Sequence, residues 1–155
     1  MVIANSMLLR ESIERRRGFD EVMLRDFPRI EVVQTLETHG APAILRQVVA
    51  EMLSGVGEVG GIYLVGTGHR ALATALSELG LLGRVVIIGH ELTPHTRAAL
   101  KSGWLDAVIV QNVGHIARST LRVLRAKADR VPIDESQETL RIEVILRENI
   151  PVATA

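Results

Sequence analysis

The side chains best equipped for chemistry stand just after short apolar runs. They are Asn5 and Ser6, Glu37 to His39, Gly66 to His69, His90 and Glu91, and Gln111 and Asn112. Each one alone is ordinary loop polarity. Taken together, donors and acceptors after nearly every run point to a polar ligand. One string has a more specific form. Gly66-Thr67-Gly68-His69-Arg70-Ala71 is a GxGxxA turn, and Glu91 follows Gly66 by 25 positions. Such glycines let backbone approach a pyrophosphate at a helix N-terminus. In the common dinucleotide fold, however, this turn follows the first strand, and here it follows the third. A dinucleotide-dependent enzyme using this loop is therefore kept as an alternative reading.

The remaining chemistry is easier to exclude. The chain has no cysteine, so thiol catalysis and cysteine–zinc sites are ruled out. The histidines are His39, His69, His90, His95 and His115. His90 and His95 are separated by Thr93-Pro94, a helix start, so they do not share a helical face as an HExxH pair would. No metal and no cofactor is expected. Ser54, Ser77 and Ser102 sit in or near helical stretches without an elbow motif, so no serine triad is expected. Glu14-Arg15-Arg16-Arg17 is different. Four consecutive residues cover every side of a helix, so one charge must face protein or ligand. An inward arginine needs an anion or fixed acceptors, and Arg15 is the candidate.

These residues need elements to hold them. Met1–Asn5 is a short apolar start. Leu9–Phe27 has helical spacing and ends at Pro28. Ile30–Leu36 reads as a strand. A helix begins at Pro42, with Ile44, Leu45, Val48, Val49 and Leu53 as its apolar face. A loop with four glycines covers 55–61, and Ile62–Val65 is a buried strand. His69–Leu79 is a helix closed by Gly80. Val85–Ile88 reads as a strand covered on both faces. Thr93 caps a helix through about Lys101. Leu105–Val110 is a strand, Val113–Lys127 a helix and Thr139–Leu146 a last strand. The alternation predicts an α/β fold with a mainly parallel sheet flanked by helices, Rossmann-like in plan. In such sheets ligands bind beyond the carboxyl ends of the strands, where the polar residues lie.

Composition sets the outer bounds. The chain has 155 residues, 47% hydrophobic and 23% charged, enough for one packed core and too apolar for disorder. Eighteen basic and eighteen acidic residues cancel, so a whole-chain electrostatic grip on nucleic acid or an anionic membrane is not expected. No apolar run reaches spanning length and no secretion signal pattern is present, so the expectation is a cytoplasmic protein without a membrane partner. Val113–Arg130 is basic on one face, with Arg118, Arg122, Arg125, Lys127 and Arg130. Val113, Ile116, Ala117, Leu121 and Leu124 form its apolar stripe. A surface helix packing one face explains that pattern.

Four strings in order, Glu14-Arg15-Arg16-Arg17-Gly18-Phe19, Gly61-Ile62-Tyr63, Val86-Ile87-Ile88-Gly89-His90-Glu91 and Asp106-Ala107-Val108-Ile109-Val110-Gln111, resemble the lac repressor family of bacterial transcription regulators. The closing Asn149-Ile150-Pro151 resembles that family's ending. The likeness is to its effector-binding domain, which is similar to periplasmic sugar-binding proteins of type I, and covers almost the whole chain. It implies the C-terminal lobe of a two-lobed ligand domain, formed by residues 1–111 and 135–155. The stretch 112–134 would belong to an N-terminal lobe that is missing here, as is any helix-turn-helix headpiece.

The resemblance also implies site residues. Arg15 matches the family's ligand-binding arginine, and Gln111 its glutamine at the last crossing between lobes. Glu91 stands where the family has a sugar-binding aspartate. Glu37, in Glu37-Thr38-His39, replaces an aromatic that covers the ligand, which implies a smaller or more polar ligand than a hexose. His69 falls near a polar position after the third strand. The implied function is a non-enzymatic sensor for a sugar or polyol whose occupancy tunes DNA binding through the headpiece. The alternative is the solute-binding component of a sugar transporter, with the same fold. A homodimer or larger homo-oligomer is expected, its second subunit covering the apolar stripe of Val113–Arg130. Otherwise that helix folds back on the lobe.

Overall fold

The computed structural model describes residues 1–55 and 59–152. The elements run β1 (Val2–Ala4), α1 (Arg10–Asp26), β2 (Leu36–Glu37), α2 (Pro42–Gly55), β3 (Gly61–Leu64), α3 (His69–Glu78), β4 (Val86–His90), α4 (Pro94–Ser102), β5 (Ala107–Gln111), α5 (Val113–Asp129), α6 (Glu135–Glu138) and β6 (Ile142–Ile145). They build one six-stranded sheet in the order β2-β1-β3-β4-β5-β6. Five strands are parallel, and β6 closes the edge antiparallel to β5. The α/β class and mainly parallel sheet read from the sequence are what the chain forms. The glycine loop expected over 55–61 lies partly outside the described residues.

Chain direction decides which helix covers which face. From β1 the chain steps outward to β2, then back over β1 to β3, and onward to β4 and β5. Parallel crossovers are right-handed, so the outward step puts α1 on one face and the others put α2, α3 and α4 on the opposite face. The core follows. Leu45 and Val49 of α2, Leu72 and Leu76 of α3, and Ala99 and Leu100 of α4 pack with Ile3, Ile62, Leu64, Ile87 and Val108. On the other face a smaller cluster joins Val2, Ala4 and Val65 to Phe19 of α1 and to Tyr63.

With α1 alone on that face, part of the sheet is uncovered. Val86, expected to be buried, is 53% exposed, and Val144 on β6 is 49% exposed. The apolar run predicted a strand with two covered faces, and only one face is fully covered. The strand expected over Ile30–Leu36 is also shorter. Pairing is restricted to Ile3 with Leu36 and Ala4 with Glu37, and Thr38 and His39 extend the ladder to the Ala4 and Asn5 carbonyls. The pairing thus falls on polar residues at the end of the apolar run.

Capping at α4 is as its sequence requires. Thr93 Oγ1 accepts from the Thr96 amide at 3.1 Å, and Thr96 Oγ1 accepts from the Thr93 amide at 2.8 Å. Thr93→Ala is expected to cost about 1 kcal/mol, measured by urea unfolding. The adjacent Pro94→Ala should cost clearly less, because no cap bond is lost.

α5 stands apart from the three-helix layer. It packs with α6, where Arg122 makes a two-pronged bond to Glu138 at 2.7 and 2.8 Å. Its apolar stripe is only partly covered: Ile116 is half-buried, whereas Val113, Leu121 and Leu124 are exposed. The described residues therefore do not provide the full cover expected for that stripe.

Candidate functional site

The carboxyl ends of the strands form one rim, and the order of the sheet reverses between β1 and β3. That reversal opens the crevice in which doubly wound sheets bind ligands. Asn5 and Thr67 meet across it, with Asn5 Nδ2 donating to Thr67 Oγ1 at 3.0 Å. Arg15 reaches the same place from α1. Its Nη1 donates to the Val65 carbonyl at 2.8 Å and lies 3.5 Å from the Glu11 carboxylate. The inward arginine expected at position 15 is there, with its side chain 18% exposed. Arg16 turns inward as well, held by Asp20 and the Thr35 hydroxyl, so two arginines satisfy the argument that picked one. Glu37 lies at the outer end of the rim, and its Oε2 accepts from the Met7 amide at 2.8 Å.

Further along the rim, Glu91, Leu92, Val110, Gln111, Asn112, Val113 and Glu143 line a cavity of about 360 Å³. Two of the expected residues, Glu91 and Gln111, meet here. Arg15, Glu37 and His69 are not among its lining residues. Glu91 is held in left-handed backbone, at φ 68°. That conformation is uncommon outside glycine. It is fixed by three bonds: the Glu91 amide donates to the Ile109 carbonyl at 3.1 Å, and the Thr93 amide at 3.1 Å and Thr96 Oγ1 at 2.7 Å donate to the Glu91 carbonyl. Asn112 caps α5 by accepting from the His115 amide at 2.8 Å. The sequence reading missed Glu143, which comes from β6, an edge strand whose partner was not foreseen.

Two histidines, His69 and His90, lie beneath the rim and are neutral near pH 7. His90 is 7% exposed, and its Nε2 shares a 2.8 Å hydrogen bond with the Tyr63 hydroxyl. Burial, with the nearby Arg15 and His69 charges, pushes His90 down to about 4. His69 lies against Gly89, where an added Cβ would stand 2.3 Å from its Nε2. That nitrogen is buried without a hydrogen-bond partner among the described residues, as is His95 Nε2. Burial and then His95 push His69 down to about 4 as well. Neutral imidazoles of this kind support the rim without adding positive charge. Among the described residues no three His, Asp or Glu side chains are arranged to hold a metal ion.

The glycine turn is accounted for by packing. A Cβ on Gly66 would lie 2.8 Å from the Asn5 side chain, and one on Gly68 2.6 Å from Leu45 Cδ1. Gly68 also has φ 118°. Gly68 is thus required by the chain's own neighbours, and Gly66 is favoured by the side chain it packs against.

A larger hollow, about 520 Å³, lies on the α1 face at the opposite, amino-terminal end of the strands. Phe19, Met23, Tyr63, Val86 and Ile88 give it apolar walls. Among the described lining residues Glu31 is the one charged side chain, and no set of polar groups converges there to orient a small polar ligand. No helix among the described residues is long and apolar enough to cross a membrane.

Comparison with known proteins follows the same line. A family model described as a periplasmic binding protein domain matches residues 1–130. No curated protein sequence matches the chain. Among solved structures, a glucose-galactose binding protein from Geobacillus stearothermophilus superposes with a TM-score of 0.83 at 19% identity, over 97% of this chain and 54% of that one. An arabinose binding protein from the same organism gives 0.78 at 24% identity, over 96% and 54%. A solute-binding protein of an ABC transporter from Agrobacterium vitis, bound with alpha-D-tagatopyranose, gives 0.81 at 17% identity, over 96% and 50%. The chain spans about half the length of these relatives, and at such identities the likeness is one of fold.

Proposed function

Since this chain belongs to the periplasmic binding protein domain family, we propose that it is one lobe of a sugar-binding protein and that its rim of strand ends is half of the ligand cleft. The observation that carries this reading is the cavity at the β4–β5–β6 end of the rim, where Glu91, Gln111, Asn112 and Glu143 converge beside Val110 and Leu92. Carboxylates accept strongly from hydroxyls, and amides donate and accept at once. The apolar pair suits the C–H face of a sugar ring. Arg15 and Asn5 extend the hydrogen-bonding rim toward the switch point.

Of the two roles expected from the sequence, the transporter solute-binding component is favoured, because the similar structures include solute-binding proteins of ABC transporters. A sensor of the lac repressor type has the same lobe and is the second reading. In either role α5 would leave this lobe for a partner lobe, and its exposed Val113, Leu121 and Leu124 would pack there.

The test is a titration of pentoses and hexoses followed by amide NMR shifts on this chain, with Gln111→Ala beside it. Shifts gathered at Glu91, Gln111 and Asn112 are expected, and Gln111→Ala should weaken binding by about three- to tenfold, the value of a lost hydrogen bond. Shifts scattered over the surface, equal in the variant, would sink the reading.

A further inference from the structure

Charge around the rim is not balanced, and the imbalance lies at one end. Arg15 turns its Nη1 to Glu11 and the Val65 carbonyl and does not line the cavity at that end. Glu37 is occupied by the Met7 amide. His69 and His90 are both pushed down to about 4, so they are neutral near pH 7. Glu91 and Glu143 remain, and neither carboxylate has a hydrogen bond or ion pair among the described residues.

Register sets these two side by side across the sheet. His90 pairs with Ile109, so Glu91 follows beside Val110, and Val110 pairs with Glu143. Side chains alternate along a strand, so the paired Val110 and Glu143 share one face, and Glu91, one residue past β4 in left-handed backbone, lines the same cavity. Leu92 and the Gln111 and Asn112 amides complete the lining of this 360 Å³ space with Val113. One apolar residue is bracketed by two carboxylates. Arg141, two residues before Glu143 on the same strand, lines the neighbouring hollow with it and makes no ion pair among the described residues.

We infer that Glu143 is a specificity-determining residue of this site, and that with Glu91 it selects uncharged sugars and rejects sugar acids. The inference rests on the sugar-binding reading above. A neutral ring lies over Val110 and donates hydroxyl protons to both carboxylates. A uronate of the same ring brings a third negative charge into a cavity lined by two carboxylates and, among the described residues, by no cation. Repulsion at that spacing, in partly hydrated surroundings, disfavours the uronate several-fold.

The experiment titrates D-galactose and D-galacturonate separately into the chain, with affinities read by NMR shifts, on wild type, Glu143→Gln and Arg141→Gln. Wild type is expected to bind galactose more tightly than galacturonate. Glu143→Gln should close that gap by about five- to tenfold, and Arg141→Gln should widen it. Position 143 is exposed, and equal melting temperatures check that folding is kept. An unchanged ratio in Glu143→Gln, with galactose still bound, overturns the inference and leaves the sugar reading standing. If neither probe binds any of the three proteins, the sugar reading fails first and the inference falls with it.

Discussion

Lowering the pH from 7 toward 4 is expected to remove a large part of the folding stability, before most carboxylates are protonated. The cause is the pair of neutral histidines. His90 goes from an ordinary value of 6.5 to about 4 on folding, as does His69. The unfolded chain therefore binds more protons than the folded one between those values. The histidine contribution is fully present above pH 6.5 and is lost progressively as pH falls to about 4, below which it is flat. For His90, buried beside Arg15, the loss is on the order of 3 kcal/mol. His69, half-buried next to His95, adds a smaller amount. Glu138 acts in a different window: Arg122 and Ser119 hold it down to about 2, so its contribution is lost only at lower pH. Urea unfolding at stepped pH reads the slope directly. His90→Phe should lower stability at pH 7 by about 1 kcal/mol, because the Tyr63 hydroxyl loses its partner. It should also flatten the curve between pH 6.5 and 4. A variant curve parallel to wild type would show that His90 does not carry the effect.

This histidine pair shows how far the sequence could be read. The alternation of apolar runs and amphipathic stretches was enough for the α/β class, because each element's period is local. Arg15 was legible for the same reason, since four adjacent charges leave one facing inward. Thr93-Pro94 marked the start of α4 from residue type alone. The site was only half legible. Glu91 and Gln111 end β4 and β5, and a sheet of this kind places strand ends on one rim. Glu143 joins them through the antiparallel pairing of β6 with β5, and that pairing spans the whole of α5 and α6. Nothing in the residues near 143 records it. The shortened β2 has a similar origin, because how far an edge strand pairs depends on where its neighbour ends. His69 and His90 looked like loop residues. Their neutrality comes first from burial, and the residues they pack against, Gly89 for His69 and Tyr63 for His90, lie 20 and 27 positions away.

Gly68→Val is expected to be the most damaging single change in the glycine turn, and it separates two readings of that turn. Gly68 has φ 118°, a backbone region that a β-branched residue adopts only under strain. A Cβ there would stand 2.6 Å from Leu45 Cδ1, and Leu45 is 1% exposed, part of the α2–α3 core. The leucine cannot move aside without disturbing Val49 and Leu72. Strain and overpacking together should cost about 3 kcal/mol or more, which lowers the melting temperature by about 10 °C for a chain of this size. Gly66→Ala provides the contrast. Its Cβ would meet the Asn5 side chain at 2.8 Å, and that side chain can swing outward at the loss of its bond to Thr67. About 1 kcal/mol is expected. A large gap between the two variants means that the glycines serve the packing of α3 against α2, and the turn needs no phosphate to explain it. Two small and equal losses, accompanied by saturable NAD binding in the parent that both variants abolish, would instead make the turn a nucleotide cradle. The sugar-binding reading of the rim would then have to be given up at its β3 end.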